Sequence, residues 1–339
     1  MTTEESSVPR STGNRKPPTT IYDIAVAAGV SPSTVSRALT KPGRININTE
    51  KRIRAVAADL DYRTNPMARA LPTGRTGTLA LLLSDITNPV YFDLIRAAER
   101  VTSSQSHILV LAESQESPEL ELQTAHRLQP SVDGIVLVAS RLQDNQIREL
   151  ADIKPIVVVN RTVAGVPSLV PDARPGLEAA VLHLKSLGHR SFCYVSGPTT
   201  SWMNSLRWQT LFDLAVAEGM SVVDIGPGAP TMEGGAELLP RILASGATAM
   251  LAYNDLMAIG LLRACQDRGI SVPGRISIIG FDDIFGADLP TPALSTIRSP
   301  LGELGETAVR LLTADHDGGD ASHRPPTVFI SRDSTSSPD

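Results

Sequence analysis

Only two cysteines, Cys193 and Cys265, occur in the 339 residues, too few for a disulfide framework or a closed zinc site. No run approaches the ~20 consecutive apolar residues of a membrane span. The polar stretch from Met1 to Thr20 lacks the apolar segment of a secretory signal. A soluble, cytoplasmic chain with no membrane partner is expected. Catalytic signatures are missing too: there is no nucleophile elbow, no metal-spaced His/Asp set and no Walker A loop. His107, His126, His183, His189, His316 and His323 are scattered, and each reads as a surface or capping histidine. The expectation is a protein without metal, cofactor or enzymatic activity.

What is present suggests two or three folding units, since the length is about twice the ~150 residues of one domain. A hydrophobic content of 42% supplies a core and excludes wholesale disorder. The net charge of −5 argues against nucleic acid, but its distribution argues for it. Residues 1–75 carry 12 basic and 6 acidic side chains, a net of +6; the other 264 carry 19 and 30, a net of −11. A basic head on an acidic body fits a polyanion-binding module joined to something that must stay off the polyanion. Uneven surface charge arising by chance fits equally well, and charge alone does not choose.

Residues 1–19 offer little to bury and read as a disordered tail. Three short helical patterns follow. Ile21, Ile24, Ala25 and Ala28 fall at helical spacing, with Thr20 placed to cap and Gly29 to stop the helix. Ser31 and Pro32 are a natural start for a second helix through Leu39. A third begins after Asn48 or Thr49, with Ile53, Val56, Ala57 and Leu60 on one face. The short Gly29-Val30 gap is the tight connection of a helix-turn-helix. In that motif the second helix enters the major groove. Here Val35, Ala38 and Leu39 face inward, while Ser33, Thr34, Ser36 and Arg37 point outward from a helix opened by Pro32. Arg37 has the fork that pairs with guanine O6 and N7; Thr20, Tyr22 and Arg44 are better placed for phosphates. After the head, Asn65 to Leu71 can form one or two helical turns, too short to be stable alone. Leu71 on this basic segment is the kind of apolar wedge that opens a minor-groove step; read locally, the segment fits a plain flexible linker as well.

From Thr78 the texture becomes short apolar runs alternating with amphipathic ones. Strands are expected at 79–83, 108–111, 134–139, 156–160, 192–196, 250–252, 276–281 and 328–330. Helices are expected at 91–102, 119–128, 144–150, 175–187, 204–217, 234–243, 255–268 and 301–312. Alternation of this kind means parallel sheet covered by helices, as one barrel, one large sheet or two smaller ones. The Val/Pro/Gly-rich stretch 161–172 suggests a crossing between sub-domains. Such sheets bind ligands beyond the carboxyl ends of their strands, and polar segments stand there at 84–88, 197–207, 254–255 and 282–283. Arg207 offers a planar donor fork and Asp282 a paired acceptor, a combination suited to neighbouring hydroxyls. Tyr91, Phe92 and Trp202 can stack on a sugar or base ring, though Tyr91 and Phe92 also fit a core, Trp202 a helix staple, and Asp283 a turn acceptor.

The residues Thr20-Ile-Tyr-Asp-Ile-Ala, Ala28-Gly-Val-Ser, Ser33-Thr-Val-Ser-Arg and Asn65 to Leu71 together resemble the lactose/galactose repressor (LacI/GalR) family. The likeness continues through Asp85-Ile-Thr-Asn-Pro, Val132-Asp-Gly-Ile, Leu187-Gly-His-Arg, Gly197-Pro, Asn254-Asp and Gly280-Phe-Asp-Asp, spanning residues 19 to 331. It implies an all-α helix-turn-helix head on an α/β body of two doubly wound parallel-sheet lobes, periplasmic-binding-protein-like (type I). The implied organisation is a tail (1–19), a head (20–64), a hinge (65–74), a discontinuous effector-binding and dimerisation domain (75–331) and a loose tail (332–339). It further implies a homodimer on a pseudo-palindromic operator, with a hinge helix that orders on DNA and inserts Leu71. Arg207, Asn254 and Asp282 match the family's effector ligands residue by residue; Asp85, Asn88, Tyr91, Phe92 and Asp172 match less tightly. The resemblance also places residues 296–313 back in the first lobe and 328–330 in the second. Thr64 stands where a proline is common, Pro72 where a flexible or basic residue is, and Thr210 where a glycine is usual. No aromatic flanks Pro230.

The reading is a ligand-responsive transcriptional regulator, expected to be a repressor, acting on double-stranded operator DNA. Its effector is a sugar, nucleoside or similar polar metabolite. A solute-binding protein or an α/β enzyme with an accessory head is the competing reading; the head argues against the first and the missing catalytic constellation against the second.

Overall fold

The computed structural model describes residues 19–40, 43–62, 75–313 and 324–338. Two compact units divide between Gly74 and Arg75. The expected hinge, with Asn65 and Leu71, and residues 1–18 of the expected tail lie outside the described residues.

The first unit is three helices, α1 (Ile21–Ala28), α2 (Pro32–Thr40) and α3 (Ile47–Asp59). Thr20 caps α1 reciprocally with Asp23, the Asp23 carboxylate accepting from the Thr20 N–H and hydroxyl, both at 2.8 Å. Gly29 ends the helix in the left-handed region at φ 61°, where a side chain is costly. Thr19, expected in the tail, donates its hydroxyl to the Leu60 carbonyl at 2.9 Å. Helix α3 starts earlier than expected because Asn46 supplies the cap, accepting from the Asn48 N–H at 2.9 Å. Ile24, Val35, Ala38 and Ile53 are fully enclosed in a small core. Glu50 ties α3 to its neighbours: it accepts from the Gly43 N–H at 3.1 Å and from Arg54 Nε at 3.0 Å, while Arg54 reaches the Ala38 carbonyl at 3.2 Å.

The second unit has two sheets. In lobe 1 the strands are β1 (Thr78–Leu83), β2 (Ile108–Glu113), β3 (Gly134–Val138), β4 (Ile156–Val159) and β5 (Ser168–Leu169), all parallel in the order β2-β1-β3-β4-β5. Helices α4 (Phe92–Ser104), α5 (Pro118–Leu128) and α6 (Asp144–Ile153) connect them. Leu79, Leu81 and Leu83 pack with Leu94 of α4, and Ala80 and Leu82 with Ala125 of α5 and Ile147 of α6. Burial on both faces explains why β1 reads as an unbroken apolar run.

In lobe 2 the strands β6 (Ser191–Val195), β7 (Ser221–Ile225), β8 (Ala249–Ala252) and β9 (Ser277–Ile279) are parallel in the order β7-β6-β8-β9. Helices α7 (Arg174–Ser186) and α8 (Trp202–Ala217) cover one face, α9 (Met232–Ala244) and α10 (Asp255–Asp267) the other. Helix α11 (Leu301–Thr313) then lies beside α4, in lobe 1. β10 (Thr296–Arg298) pairs antiparallel with β11 (Val328–Ile330). The body thus has the type I periplasmic-binding-protein-like architecture of two doubly wound lobes.

Four expectations need correction. Residues 296–298 do not return to lobe 1; Ile297 packs with Leu177, Phe192 and Phe281 in the lobe 2 core, and the return begins at α11. Strands β5, β7 and β10 were not foreseen: β5 is two residues long, β10 three, and β7 is an edge strand whose side chains are largely outside. The C-terminal residues are not loose. Ser334 is fully buried, donating to the Ile278 carbonyl at 2.6 Å and accepting from the Ser295 N–H at 2.8 Å. His189 is a core residue rather than a surface one: its neutral ring donates from Nε2 to the Ser336 carbonyl (2.9 Å) and accepts the Thr248 hydroxyl (2.8 Å). Among the described residues no helix is long and apolar enough to cross a membrane.

Candidate functional site

The outward face of α2 is hydroxyl-rich and ends in a long cation. Pro32 opens the helix, Val35 and Ala38 are enclosed, and Ser33, Ser36 and Arg37 are exposed. The Ser31 hydroxyl lies 2.9 Å from both the Ser33 and the Thr34 hydroxyls. The sequence places Ser33 and Thr34 on the outward face; the structure organises their hydroxyls around the helix start, leaving Arg37 as the long reach. Tyr22 is 65% exposed on α1 and Arg44 is exposed before α3. Thr20 spends its hydroxyl on the α1 cap, so its own contribution to a phosphate would come through the helix N-terminus.

In the second unit a cavity of about 40 Å³ lies between the lobes, at the carboxyl ends of their strands. It is lined by Asn88, Tyr91, Trp202, Arg207, Asn254 and Asp282, six of the nine expected effector residues. Asn88 caps the short turn Pro89–Tyr91, accepting from the Val90 N–H at 3.1 Å, and Tyr91 is buried with its hydroxyl 2.9 Å from that of Ser84. Trp202 opens α8 behind its cap Ser201, and Asn254 caps α10, accepting from the Met257 N–H at 2.9 Å and donating to the Pro230 carbonyl at 3.0 Å. The expected set divides here. Asp85 is a turn residue, its carboxylate bound to the Thr87 N–H (2.8 Å) and hydroxyl (2.6 Å). Phe92 is 42% exposed and faces a separate groove. Asp172 is exposed at the lobe crossing, where its backbone pairs with Pro325 and Thr327. None of these three lines the cavity.

The electrostatic centre is Arg207. It is 6% exposed, donates from Nη1 to the Tyr253 carbonyl and lies 3.3 Å from Asp282 Oδ1. Burial pushes the Asp282 carboxyl up to about 6, against the pull of the Arg207 charge. Asp255, immediately behind, is wholly buried and held well above the ordinary carboxyl range by burial and by Asp282; the Thr296 hydroxyl and the Ile284 N–H donate to it. Two buried polar atoms of the cavity wall lack partners, Arg207 Nε and Asn160 Oδ1. An orphaned buried group costs about 1–3 kcal/mol, and a site built for a polar ligand is one setting that tolerates it. Neither atom is exposed, and the cavity holds no more than a water or two; a larger guest requires the walls to part.

Sequence reading missed Glu116, Arg141, Asn160 and Tyr253, which also line the cavity. All four stand at the carboxyl ends of strands, so the rule that located Arg207 and Asp282, applied to every strand, would have found them. Among the described residues no group of three His, Cys, Asp or Glu is placed to hold a metal ion.

Comparison with known proteins agrees with this division. Residues 20–65 match the family described as "Bacterial regulatory proteins, lacI family", and residues 181–335 match the "Periplasmic binding protein-like domain". The HTH-type transcriptional regulator AscG of Escherichia coli (strain K12) is 33% identical over 335 residues, covering 94% of this chain and 99% of that one. Among solved structures, a Lac repressor dimer bound to operator and the anti-inducer ONPF superposes with a TM-score of 0.82 at 24% identity, over 94% of this chain and all of that one. A LacI family transcriptional regulator from Enterococcus faecium with bound ribose gives 0.68 at 27% identity, over 77% and 99%. An exposed helix-turn-helix face, a two-lobed body with a polar cavity, and a regulator alike along nearly its whole length lead to one conclusion: this chain belongs to the LacI family of bacterial regulatory proteins.

Proposed function

We propose that the chain is a cytoplasmic repressor that binds a pseudo-palindromic operator as a homodimer and changes its affinity when a small polyhydroxyl effector enters the inter-lobe cavity. The observation that carries this reading is the polar cavity between the lobes, lined by Arg207, Asn254 and Asp282, in a chain that also presents a helix-turn-helix. Arg207, Asn254 and Asp282 hold the effector, with Asn88, Tyr91 and Trp202 around it. On DNA, Arg37 reads a guanine while Ser33, Thr34 and Ser36 touch neighbouring edges or phosphates, and Thr20, Tyr22, Pro32 and Arg44 border the backbone. Asn65 to Leu71 order against the minor groove, with Leu71 as the wedge.

Dimerisation is supported by an exposed apolar face. Phe285 is 81% exposed and Leu289 75% exposed, beside a groove of about 750 Å³ that includes Phe92. Large apolar side chains clustered on a surface mark interaction sites. A ligand-induced change of about 1–3 kcal/mol in operator affinity, 5- to 150-fold, suffices for regulation.

The test is selection of duplex sequences from a random pool by the full-length protein, followed by footprinting with and without D-ribose, D-galactose or cellobiose. A protected inverted repeat whose occupancy changes with one of these sugars is expected. Equal affinity for every duplex would refute the operator, and turnover of a sugar without operator binding would favour an enzyme.

A further inference from the structure

The cavity has a second guanidinium–carboxylate pair, on the wall opposite Arg207 and Asp282. Glu116 follows β2 through two left-handed residues, Gln115 at φ 51° and Glu116 itself at φ 59°. Its N–H donates to the Ser84 carbonyl at 3.0 Å, which fixes this bend against the end of β1. Arg141 follows β3 through another left-handed residue, Ala139 at φ 52°. Its N–H donates to Glu121 Oε2 at 2.8 Å, and Glu121 is itself buried. The Arg141 side chain is 3% exposed and sends both Nε, at 2.7 Å, and Nη2, at 2.5 Å, to the same oxygen, Glu116 Oε2. Non-glycine residues in this region of backbone space persist only where the surrounding structure holds them, and they cluster at functional sites.

Arg141 is buried while the Glu116 side chain is 31% exposed, and an ion pair so placed is a poor source of stability, because desolvation of the buried cation offsets the attraction. This pair is at the cavity wall, where its use is recognition. On each wall one cation faces one anion, so the formal charges cancel twice over. A guanidinium beside a carboxylate donates to one hydroxyl and accepts from the next. A carboxylate or phosphate brought between these walls would meet the carboxylates of Glu116, 31% exposed, and Asp282, buried, and like charges repel, the more so at the buried one. We propose that Arg141 and Glu116 form the lobe 1 half of the effector site and select an effector that is uncharged and hydroxyl-bearing at both ends. This rests on the reading of the cavity as the effector site, and adds to it the residues of the second wall and the charge of the ligand.

Calorimetric titration of the full-length protein tests it with matched probes: D-ribose against ribose 5-phosphate, D-galactose against D-galacturonate, and cellobiose. The variants are Glu116→Gln and Arg141→Met, each checked for folding by its melting temperature without sugar. At least one uncharged sugar should bind the wild type about tenfold or more tightly than its anionic counterpart. Arg141→Met should weaken that sugar by a similar factor, and Glu116→Gln, which frees the Arg141 charge, should reverse the preference toward the anion. An anion that binds the wild type as tightly as the sugar overturns the inference and leaves the effector reading standing. So does a sugar that binds wild type and Glu116→Gln with the same affinity and the same charge preference. Absence of binding by every probe overturns both.

Discussion

The Arg207 guanidinium carbon lies 3.5 Å from the centre of the Phe281 ring, so the cation that faces the cavity is carried on an aromatic floor. Phe281 is fully buried and belongs to the lobe 2 core with Phe192, Tyr194 and Ile297. The cation–π contact and the bond to the Tyr253 carbonyl hold the fork in place when no ligand does. Replacing Phe281 by Leu should therefore weaken sugar binding while leaving the fold intact; calorimetric titration alongside a thermal melt separates the two, and unchanged binding would remove the ring from the site.

Asp282 should make the body's stability depend on pH in an unusual direction. Its carboxyl sits at about 6 instead of 3.8 because it is buried. A folded-state value above the ordinary one means that the stability linked to this group is complete below about pH 4 and is lost as pH rises through 6. The shift corresponds to on the order of 3 kcal/mol. In urea titrations between pH 7.5 and 4, wild type should gain stability relative to Asp282→Asn as pH falls. A constant difference across that range would show that the carboxyl titrates normally.

Arg37→Ala should lower operator affinity by roughly 1–3 kcal/mol per half-site and spare random duplex. Its side chain is exposed on α2 while Val35 and Ala38 hold the helix to the head core, so the substitution removes a contact without disturbing the packing. Fluorescence anisotropy on both duplexes reads it out; an equal loss on random DNA would make Arg37 a phosphate contact.

Gly260 of α10 faces α9 so closely that a Cβ there would overlap the Met232 carbonyl, and a Cβ on Gly235 of α9 would overlap the Met257 carbonyl. The two helices approach through these hydrogens. Gly260→Ala should cost about 1–3 kcal/mol, visible as a lower urea midpoint, and a wild-type midpoint would mean that the helices shift apart freely.

The legibility of this chain in its sequence follows the physics of each segment. The α1–α2 connection could be read because Thr20, Gly29, Ser31 and Pro32 each have one conformational use at their position. The doubly buried strands could be read because Leu79–Leu83 or Ile156–Val159 have no polar residue to hide. The C-terminal strap could not: Ser334 and Ser336 look like solvated residues and become structural only when Ile278, Ser277 and His189 offer partners more than fifty positions away. The cavity was half legible for a similar reason. Arg207 and Asp282 stand in polar segments that follow apolar runs and are a fork and an acceptor by type, whereas Glu116 and Arg141 lie a few residues past the ends of β2 and β3, where only the fold turns them toward each other.

Removing the strap contact tests that account. Ser334→Ala deletes a hydroxyl that satisfies both the Ile278 carbonyl and the Ser295 N–H, and should cost about 1–3 kcal/mol. A denaturation midpoint equal to wild type would return the segment to the status of an ornament.

The polypeptide passes between the lobes three times: from β5 to α7, from β10 to α11, and from α11 to β11. Three connections in parallel limit how far one lobe can drift from the other and favour motions that move each lobe as a whole. A protease that cut one of these tethers would leave the lobes joined by the other two, and a nicked chain should still close on its guest.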